Sequence, residues 1–176
     1  MIKLLHLLQE ENILVPRRSA EERSKNYLIA TQKKIQQYMK DKEQVDLDLS
    51  YTQITSLPDG LTVRGRLDLA GTPITSLPSD LEVKTSIDLS DTKITSLPDG
   101  LKVEGHLDLD RAKITSLPDG LTVKGSLFLR GTRVGTLPGN LKVGGNLFLY
   151  HTPIAKKYSE EQIRQMVPGV EGPIYM

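Results

Sequence analysis

Between Val45 and Ile154 apolar residues return at the same six places in every block of twenty. In the block from Gly65 they are Leu67, Leu69, Ile74, Leu77, Leu81 and Val83. The general unit reads x-L-x-L-x-x-T-x-I-T-S-L-P-D-G-L-x-V-x-G, with full units from 45, 65, 85, 105 and 125 and a partial one from 145. A single unit cannot bury so many apolar side chains alone, whereas stacked units share a continuous core. The alternation in x-L-x-L-x predicts a short strand, leucines inward and the residues between them outward. Thr52, Thr72, Thr92, Thr132 and Thr152 follow at one turn position, with Ala112 as the exception. A threonine there is suited to hydrogen bonding with the backbone at an inside corner. Leu-Pro then stops regular pairing, because proline lacks the amide donor. Asp59-Gly60, Asp99-Gly100 and Asp119-Gly120 supply the next bend, where glycine takes positive φ. Leu-x-Val runs extended along the back, and Gly65, Gly105, Gly125 and Gly145 turn the chain into the next strand. Thr85 is the non-glycine in that row, which predicts a locally altered coil.

The pattern differs at both ends. Residues 1–15 read as a short amphipathic helix or an apolar arm, ended by Pro16. Ser19 and Glu22 form a capping box, and a helix to about Lys42 carries Leu28, Ile35 and Met39 on one face, beside Tyr27, Thr31 and Tyr38. Residues 1–44 hold nine Lys or Arg and six Asp or Glu. This segment is either a cap over the first coil or a docking arm, with Arg17, Arg18, Arg23 and Lys25 meeting phosphate or acidic protein. After Ile154 the lysines at 156 and 157 replace a Ser-Leu pair and close the core column. Ser159 and Gln162 make a second capping box, for a short helix with Ile163, Met166 and Val167. Pro168-Gly169 ends it, and Ile174-Tyr175-Met176 returns as a strand covering the last coil. The organisation is therefore a helical N-terminal cap over 1–44, a solenoid over 45–155 and a C-terminal cap over 156–176.

Composition narrows the function classes. The 23 basic residues nearly balance the 22 acidic ones, which argues against a dedicated nucleic-acid binder. There is no cysteine, so no disulfide or thiolate metal site. The apolar run at the N-terminus is broken by Gln9, Glu10 and Glu11, unlike a secretory signal, and no apolar stretch reaches the roughly 20 residues of a membrane span. His6, His106 and His151 are scattered, and Ser56, Ser76, Ser96 and Ser116 form one repeat column without a base beside them. No catalytic, cofactor or metal residue is assigned.

The outward strand positions carry the candidate chemistry. One column reads Asp46, Arg66, Ser86, His106, Ser126, Asn146. The next reads Asp48, Asp68, Asp88, Asp108, Phe128, Phe148, and the third Ser50, Ala70, Ser90, Asp110, Arg130, Tyr150. Parallel neighbours lie about 4.8 Å apart, so adjacent carboxylates repel by roughly 0.9 kcal/mol in bulk water. Three readings follow for the aspartates: a solvated face relieved by Arg66 or His106, a calcium ladder, or a binding surface. The ladder reading lacks the glycine-aspartate nonapeptide pattern. Charge segregation favours a surface that meets something basic at one end and something apolar at the other. Residues 45–110 hold five basic and twelve acidic residues, and residues 111–150 hold six basic and one acidic. Phe128 and Phe148 are the only phenylalanines of the chain, and read either as interface anchors or as part of the end cap.

The L-x-L-x-x-T-x-I-x-x-L-P unit resembles a leucine-rich repeat, with Thr where the usual consensus has Asn or Cys. Its length and Leu-Pro resemble the repeats of secreted bacterial effectors, although Leu-x-Val-x-Gly stands where those have a second Leu-Pro. The chain is more similar to small leucine-rich-repeat proteins of bacteriophages. It resembles them in its leader VPRRSAEERSKNYLIATQKKIQQYM, in repeats such as LPDGLTVKGSLFL, and in its tail YHTPIAKKYSEEQIRQMVPGVEGPIYM. The resemblance spans nearly the whole chain. It implies a phage or prophage origin and little about activity.

The expected fold is a leucine-rich-repeat solenoid of parallel strands, about five to six 20-residue coils, with an α-helical N-terminal cap and a short helix/strand C-terminal cap. The expected function is non-enzymatic binding of a host or phage protein, with inhibition of a host defence component as one form. The expected binding residues are Asp48, Asp68, Asp88, His106, Asp108, Phe128, Arg130, Phe148 and Tyr150. The alternatives are a virion-associated spacer and a weak nucleic-acid binder using the basic N-terminal helix. The expected location is the host cytoplasm, or the virion.

Overall fold

The computed structural model describes residues 19–41 and 45–176. Each 20-residue unit makes one turn of a parallel β-solenoid, and about five turns stack. The front sheet is built from β1 (Leu47–Asp48), β3 (Leu67–Asp68), β5 (Ile87–Asp88), β7 (Leu107–Asp108), β9 (Leu127–Phe128) and β11 (Leu147–Phe148). Between them run the back strands β2 (Thr62–Val63), β4 (Glu82–Val83), β6 (Lys102–Val103), β8 (Thr122–Val123) and β10 (Lys142–Val143). A last strand, β12 (Ile174–Tyr175), completes a seven-stranded front sheet in the order β1-β3-β5-β7-β9-β11-β12. The register is the repeat itself: Leu47 pairs with Leu67, that with Ile87, and so on to Leu147. Although each strand has only two residues, the backbone ladder continues into the turn, as in Tyr51 N–H to Ala70 C=O at 2.7 Å.

The predicted apolar columns form the core. Leu49, Leu69, Leu89, Leu109, Leu129 and Leu149 are fully buried. The threonine column does what its position predicts. Each hydroxyl donates to the carbonyl three residues earlier, as Thr72 does to Leu69 at 2.7 Å and Thr152 to Leu149 at 2.6 Å. The Asp-Gly bends have glycine at φ near 70°, as at Gly60 and Gly120.

Two features of the coil escape the sequence reading. Residues 51, 71, 91, 111, 131 and 151 all sit in the left-handed region, and Tyr51, Asp91, Arg111 and His151 hold φ of 54° to 61° without being glycine. Such positions are strained by roughly 1 kcal/mol or more each, and the coil ladder holds them in place. The glycines before the front strands have a different reason from the predicted turn. A Cβ at Gly125 would stand 2.7 Å from the Gly105 carbonyl oxygen, and one at Gly145 would stand 2.8 Å from the Gly125 carbonyl carbon. Close approach of the neighbouring coil requires these glycines.

The back sheet is broken at one place. β2 pairs with β4, and β6, β8 and β10 pair together, but β4 and β6 are not joined. Gly105 still donates to the Thr85 carbonyl at 2.7 Å across this gap, so the side chain at 85 does not cause it. Thr85 acts on its other neighbour. Gly65, Gly105, Gly125 and Gly145 each donate to the coil before at 2.7 to 2.9 Å, whereas the Thr85 amide makes no such bond to Gly65; a side chain at 85 opposes that approach.

Helix α1 (Ala20–Lys40) opens with the predicted box, Ser19 Oγ accepting from the Glu22 amide and Glu22 from the Ser19 amide. It buries Thr31, Ile35 and Tyr38 rather than the predicted Leu28 and Met39, which are 38% and 50% exposed. The reason is polar as well as apolar. Tyr38 donates to the Val45 carbonyl and accepts from the Arg64 amide, and the Lys34 ammonium donates to the Asp48 carbonyl. These bonds close the free edge of β1. The predicted arm over residues 1–15, with Arg17 and Arg18, lies outside the described residues.

At the other end, α2 (Pro153–Lys157) replaces the extended segment of earlier coils, capped by Thr152. The sequence reading missed this helix. Helix α3 (Glu160–Met166) starts at the predicted Ser159–Gln162 box and buries Ile163. The chain then pairs along the last coil, first at Val143 with Val170 and then as β12 on β11. Among the described residues no helix is long and apolar enough to cross a membrane.

The Thr85→Gly variant is expected to restore the missing rung from residue 85 to the Gly65 carbonyl. One regained hydrogen bond, about 1 kcal/mol, roughly offsets the entropy of one glycine, about 0.5–1 kcal/mol. Hydrogen exchange at the residue-85 amide should slow; unchanged exchange would show that the Thr85 side chain does not oppose the approach.

Candidate protein-binding face

The aspartate column has a local job. The Oδ1 atoms of Asp48, Asp68, Asp88 and Asp108 accept from the amide two residues on, at 2.9, 3.1, 3.0 and 2.9 Å. This is an Asx turn that ends each front strand. Ser50 and Ser90 add their hydroxyls to the same oxygens at 2.7 Å. Where phenylalanine replaces aspartate, another residue takes over: Asp110 Oδ1 accepts from the Arg130 amide of the next coil at 2.8 Å.

Asp110 corrects the outward assignment of the third column. It is 2% exposed, and its Oδ2 holds Arg130 at 2.6 Å from Nε. Ala70 in the same column is buried too, as is Ser126 in the first. The strand alternation ends at residue 49 of the unit, so residue 50 belongs to the turn and has no reason to point outward.

The first column is a second ladder between coils. Asp46, Ser86, His106 and Ser126 each accept, through the side chain, the amide of the residue one coil later, at 2.7 to 3.1 Å. His106 accepts with Nδ1, which places the proton of its neutral tautomer on Nε2.

The phenylalanines form a stack. Phe128 and Phe148 have centroids 4.6 Å apart with planes at 3°, and Tyr175 of β12 continues at 4.8 Å and 8°. Both phenylalanines are half-buried and Tyr175 is 37% exposed. The tail thus extends the stack sideways instead of folding over it. Tyr175 is a site residue that the sequence reading missed, and its signal was the phase of Ile-Tyr against Leu-Phe. The His106 ring meets Phe128 at 6.2 Å and 64°, and the Arg130 guanidinium lies 6.0 Å from the Phe128 centroid. Tyr150 lies half-buried in the neighbouring column.

The expected repulsion is relieved unevenly. Arg66 reaches across two strands to Asp68 at 3.2 Å and Asp88 at 2.6 Å. The Asp48 carboxyl is held below its usual range by the Ser50 hydroxyl and amide, helped by the charges of Lys34 and Arg66. Asp108 moves the other way, to about 6, because burial disfavours its charge and Asp110 and Asp88 repel it. Of the predicted residues, His106, Asp88, Asp108 and Phe128 line one cleft of about 220 Å³, with Arg66 and Ser86. Asp48 lies at the α1 end of the column and Phe148 at the β12 end. A wider cleft of about 890 Å³ opens between α1 and the first coil, with Arg23, Tyr27, Lys34 and Tyr51 on its walls. Among the described residues no three or more His, Asp and Glu are placed to share a metal ion. Neither a protein-family model nor a curated protein matches this chain.

The raised Asp108 pKa makes stability depend on pH with a definite sign. Below 3.8 the carboxyl is protonated folded and unfolded, and no penalty exists; above about 6 it is ionised in both, and the full penalty is present. Its contribution therefore falls as pH rises between those values. Asp48 and Asp91, whose pKa values are lowered, lose their contribution as pH falls. Asp108→Asn keeps an acceptor for the Asp110 amide and removes the charge. It is expected to gain about 1 kcal/mol near pH 7.5, after solvent screening, and to converge with the wild type near pH 4. Urea denaturation at both pH values measures this, and equal stability near pH 7.5 contradicts it.

Proposed function

We propose that this chain is a non-enzymatic protein-binding module that presents its front-sheet face to a partner protein. The observation that carries the reading is the half-exposed stack of Phe128, Phe148 and Tyr175 at the end of a carboxylate column. Aromatic side chains and arginine supply most anchor residues at interfaces. Here the coil ladder already fixes them, so binding orders little further. Polar side chains of this face already have partners: the Ser50 and Ser90 hydroxyls donate to the carboxylates of their Asx turns, and His106 Nδ1 accepts from the Ser126 amide. The resemblance to small phage leucine-rich-repeat proteins supports a host or phage protein as partner. Inhibition of a host defence component in the host cytoplasm is one form that such binding can take.

A virion-associated spacer is the second reading. It draws on the unbroken register of the seven-stranded sheet, which makes a stiff body. Mass spectrometry of purified virions separates the two, since a spacer must be present there.

Pull-down from host lysate tests the main reading. The Phe128→Ala/Phe148→Ala chain is expected to lose its partner, with binding weakened at least about a hundredfold for two truncated anchors. Asp68→Asn/Asp88→Asn keeps the turn acceptors and removes charge, and is expected to weaken binding less. If both double variants, shown folded by circular dichroism, retain every captured protein, the front-face reading fails.

A further inference from the structure

The molecule supplies its own pattern for what the carboxylate column accepts. Arg66 lays its guanidinium across Asp68 and Asp88, and Ser50 and Ser90 give hydroxyls to Asp48 and Asp88. Among the described residues Asp108 is the member of the column whose carboxylate has neither a guanidinium nor a hydroxyl in contact. The residue two places on is Asp110, which has no hydroxyl and is itself tied to Arg130. The residue two places before is His106, which holds the Ser126 amide and does not reach over as Arg66 does. Asp108 thus keeps one oxygen uncommitted, at the side of a cleft.

The opposite wall of that cleft is aromatic. One face of the Phe128 ring is covered by Phe148; the His106 ring also meets it at 6.2 Å, the Arg130 guanidinium lies 6.0 Å from its centroid, and the ring lines the cleft together with Asp108. We propose that this cleft seats one arginine side chain of the partner protein, paired with the Asp108 carboxylate and packed against the Phe128 ring. The inference rests on the protein-binding reading above and names the chemistry of its anchor. The cleft of about 220 Å³ has room for a guanidinium and the last methylenes of its stem. A planar guanidinium fits the combination of carboxylate and ring better than an ammonium does, because it can bond in its plane and stack by its face. The surrounding charge is complementary to a basic segment, with twelve acidic and five basic residues between 45 and 110. Arg130 cannot serve instead, since its Nε and Nη2 are held by Asp110.

Protonation of Asp108 removes the ion pair, so the anchor weakens on acidification. Asp88 and Asp110 face this carboxyl with like charge and Arg130 with opposite charge, while Arg66 and His106 share its cleft.

The test uses the full 15N-labelled chain and a hexa-arginine peptide, with hexalysine and hexaglutamate as comparisons. Near pH 7.5 the amide shifts caused by hexa-arginine are expected to centre on His106, Asp108 and Phe128, with hexalysine weaker and hexaglutamate silent. Asp108→Asn should weaken hexa-arginine about five-fold, the size of one screened carboxylate–guanidinium contact. Near pH 5 the wild type should weaken comparably while Asp108→Asn does not change. Phe128→Leu, which keeps the core packing, should weaken arginine more than lysine. Shifts centred on Asp48 to Asp88, or equal affinity of Asp108→Asn and wild type, overturn the anchor. If that happens while Phe128→Ala/Phe148→Ala still abolishes partner capture, the anchor falls and the protein-binding reading stands.

Discussion

The backbone ladder between coils is the constraint from which the rest follows. From β1 to β9 the first amide of each front strand donates to a carbonyl nineteen residues ahead, as Leu47 does to Arg66 and Leu127 to Asn146. The ladder holds only if like residues sit over like residues at the strand spacing. That demand makes the core a set of leucine columns. It also forces every polar position to become a column of near-identical groups, where repulsion and steric contact add along the stack. Gly105, Gly125 and Gly145 meet the steric demand, and Thr85 shows the consequence of missing it, since its amide makes no bond back to Gly65.

Most repeated polar residues are answers to this constraint. Threonine hydroxyls take the Leu carbonyls at the corner, aspartate carboxylates take the amides at the strand ends, and the first column passes amides from coil to coil. A net value of about 1 kcal/mol per bond makes each of these columns comparable with the margin of stability of a whole domain. Their recurrence therefore reports the architecture. The same need reappears at the ends, where Lys34 and Tyr38 close β1 and the returning tail covers β11.

How far the sequence was legible follows from which of these rules have a period. The leucine columns, the threonine corner, the two capping boxes and the returning strand Ile174–Tyr175 could be read because each has a local residue signature. Asp110 could not be, because the two-residue strand ends at Asp108 and residue 110 already belongs to the turn. The left-handed row was hidden because Tyr51, Asp91, Arg111 and His151 stand where Gly71 and Gly131 announce the conformation. The buried face of α1 escapes an apolar pattern because the bonds of Tyr38 and Lys34 to the first coil, together with apolar packing, choose its rotation. For the candidate face, the column and its change of character were legible. The uneven sharing of Arg66 and the third ring at Tyr175 were not, since both depend on contacts between coils.

The change from carboxylate to ring at the step from Asp108 to Phe128 is where fold and function come apart. Stacked rings attract at this spacing and stacked carboxylates repel, so the column is easier to maintain as aromatic. Turn capping at 108 requires only an oxygen acceptor, which asparagine supplies as well as aspartate. The negative charge at Asp108 is the part that the turn does not need. It sits half-buried, repelled by Asp88 and Asp110, with its pKa pushed up to about 6. Only the Asp110 amide and the charge of Arg130, itself paired with Asp110, offset it, whereas Asp88 has Arg66 in contact. A charge that opposes the fold, placed on a cleft beside a fixed aromatic ring, is best explained by a cation that arrives from outside the chain.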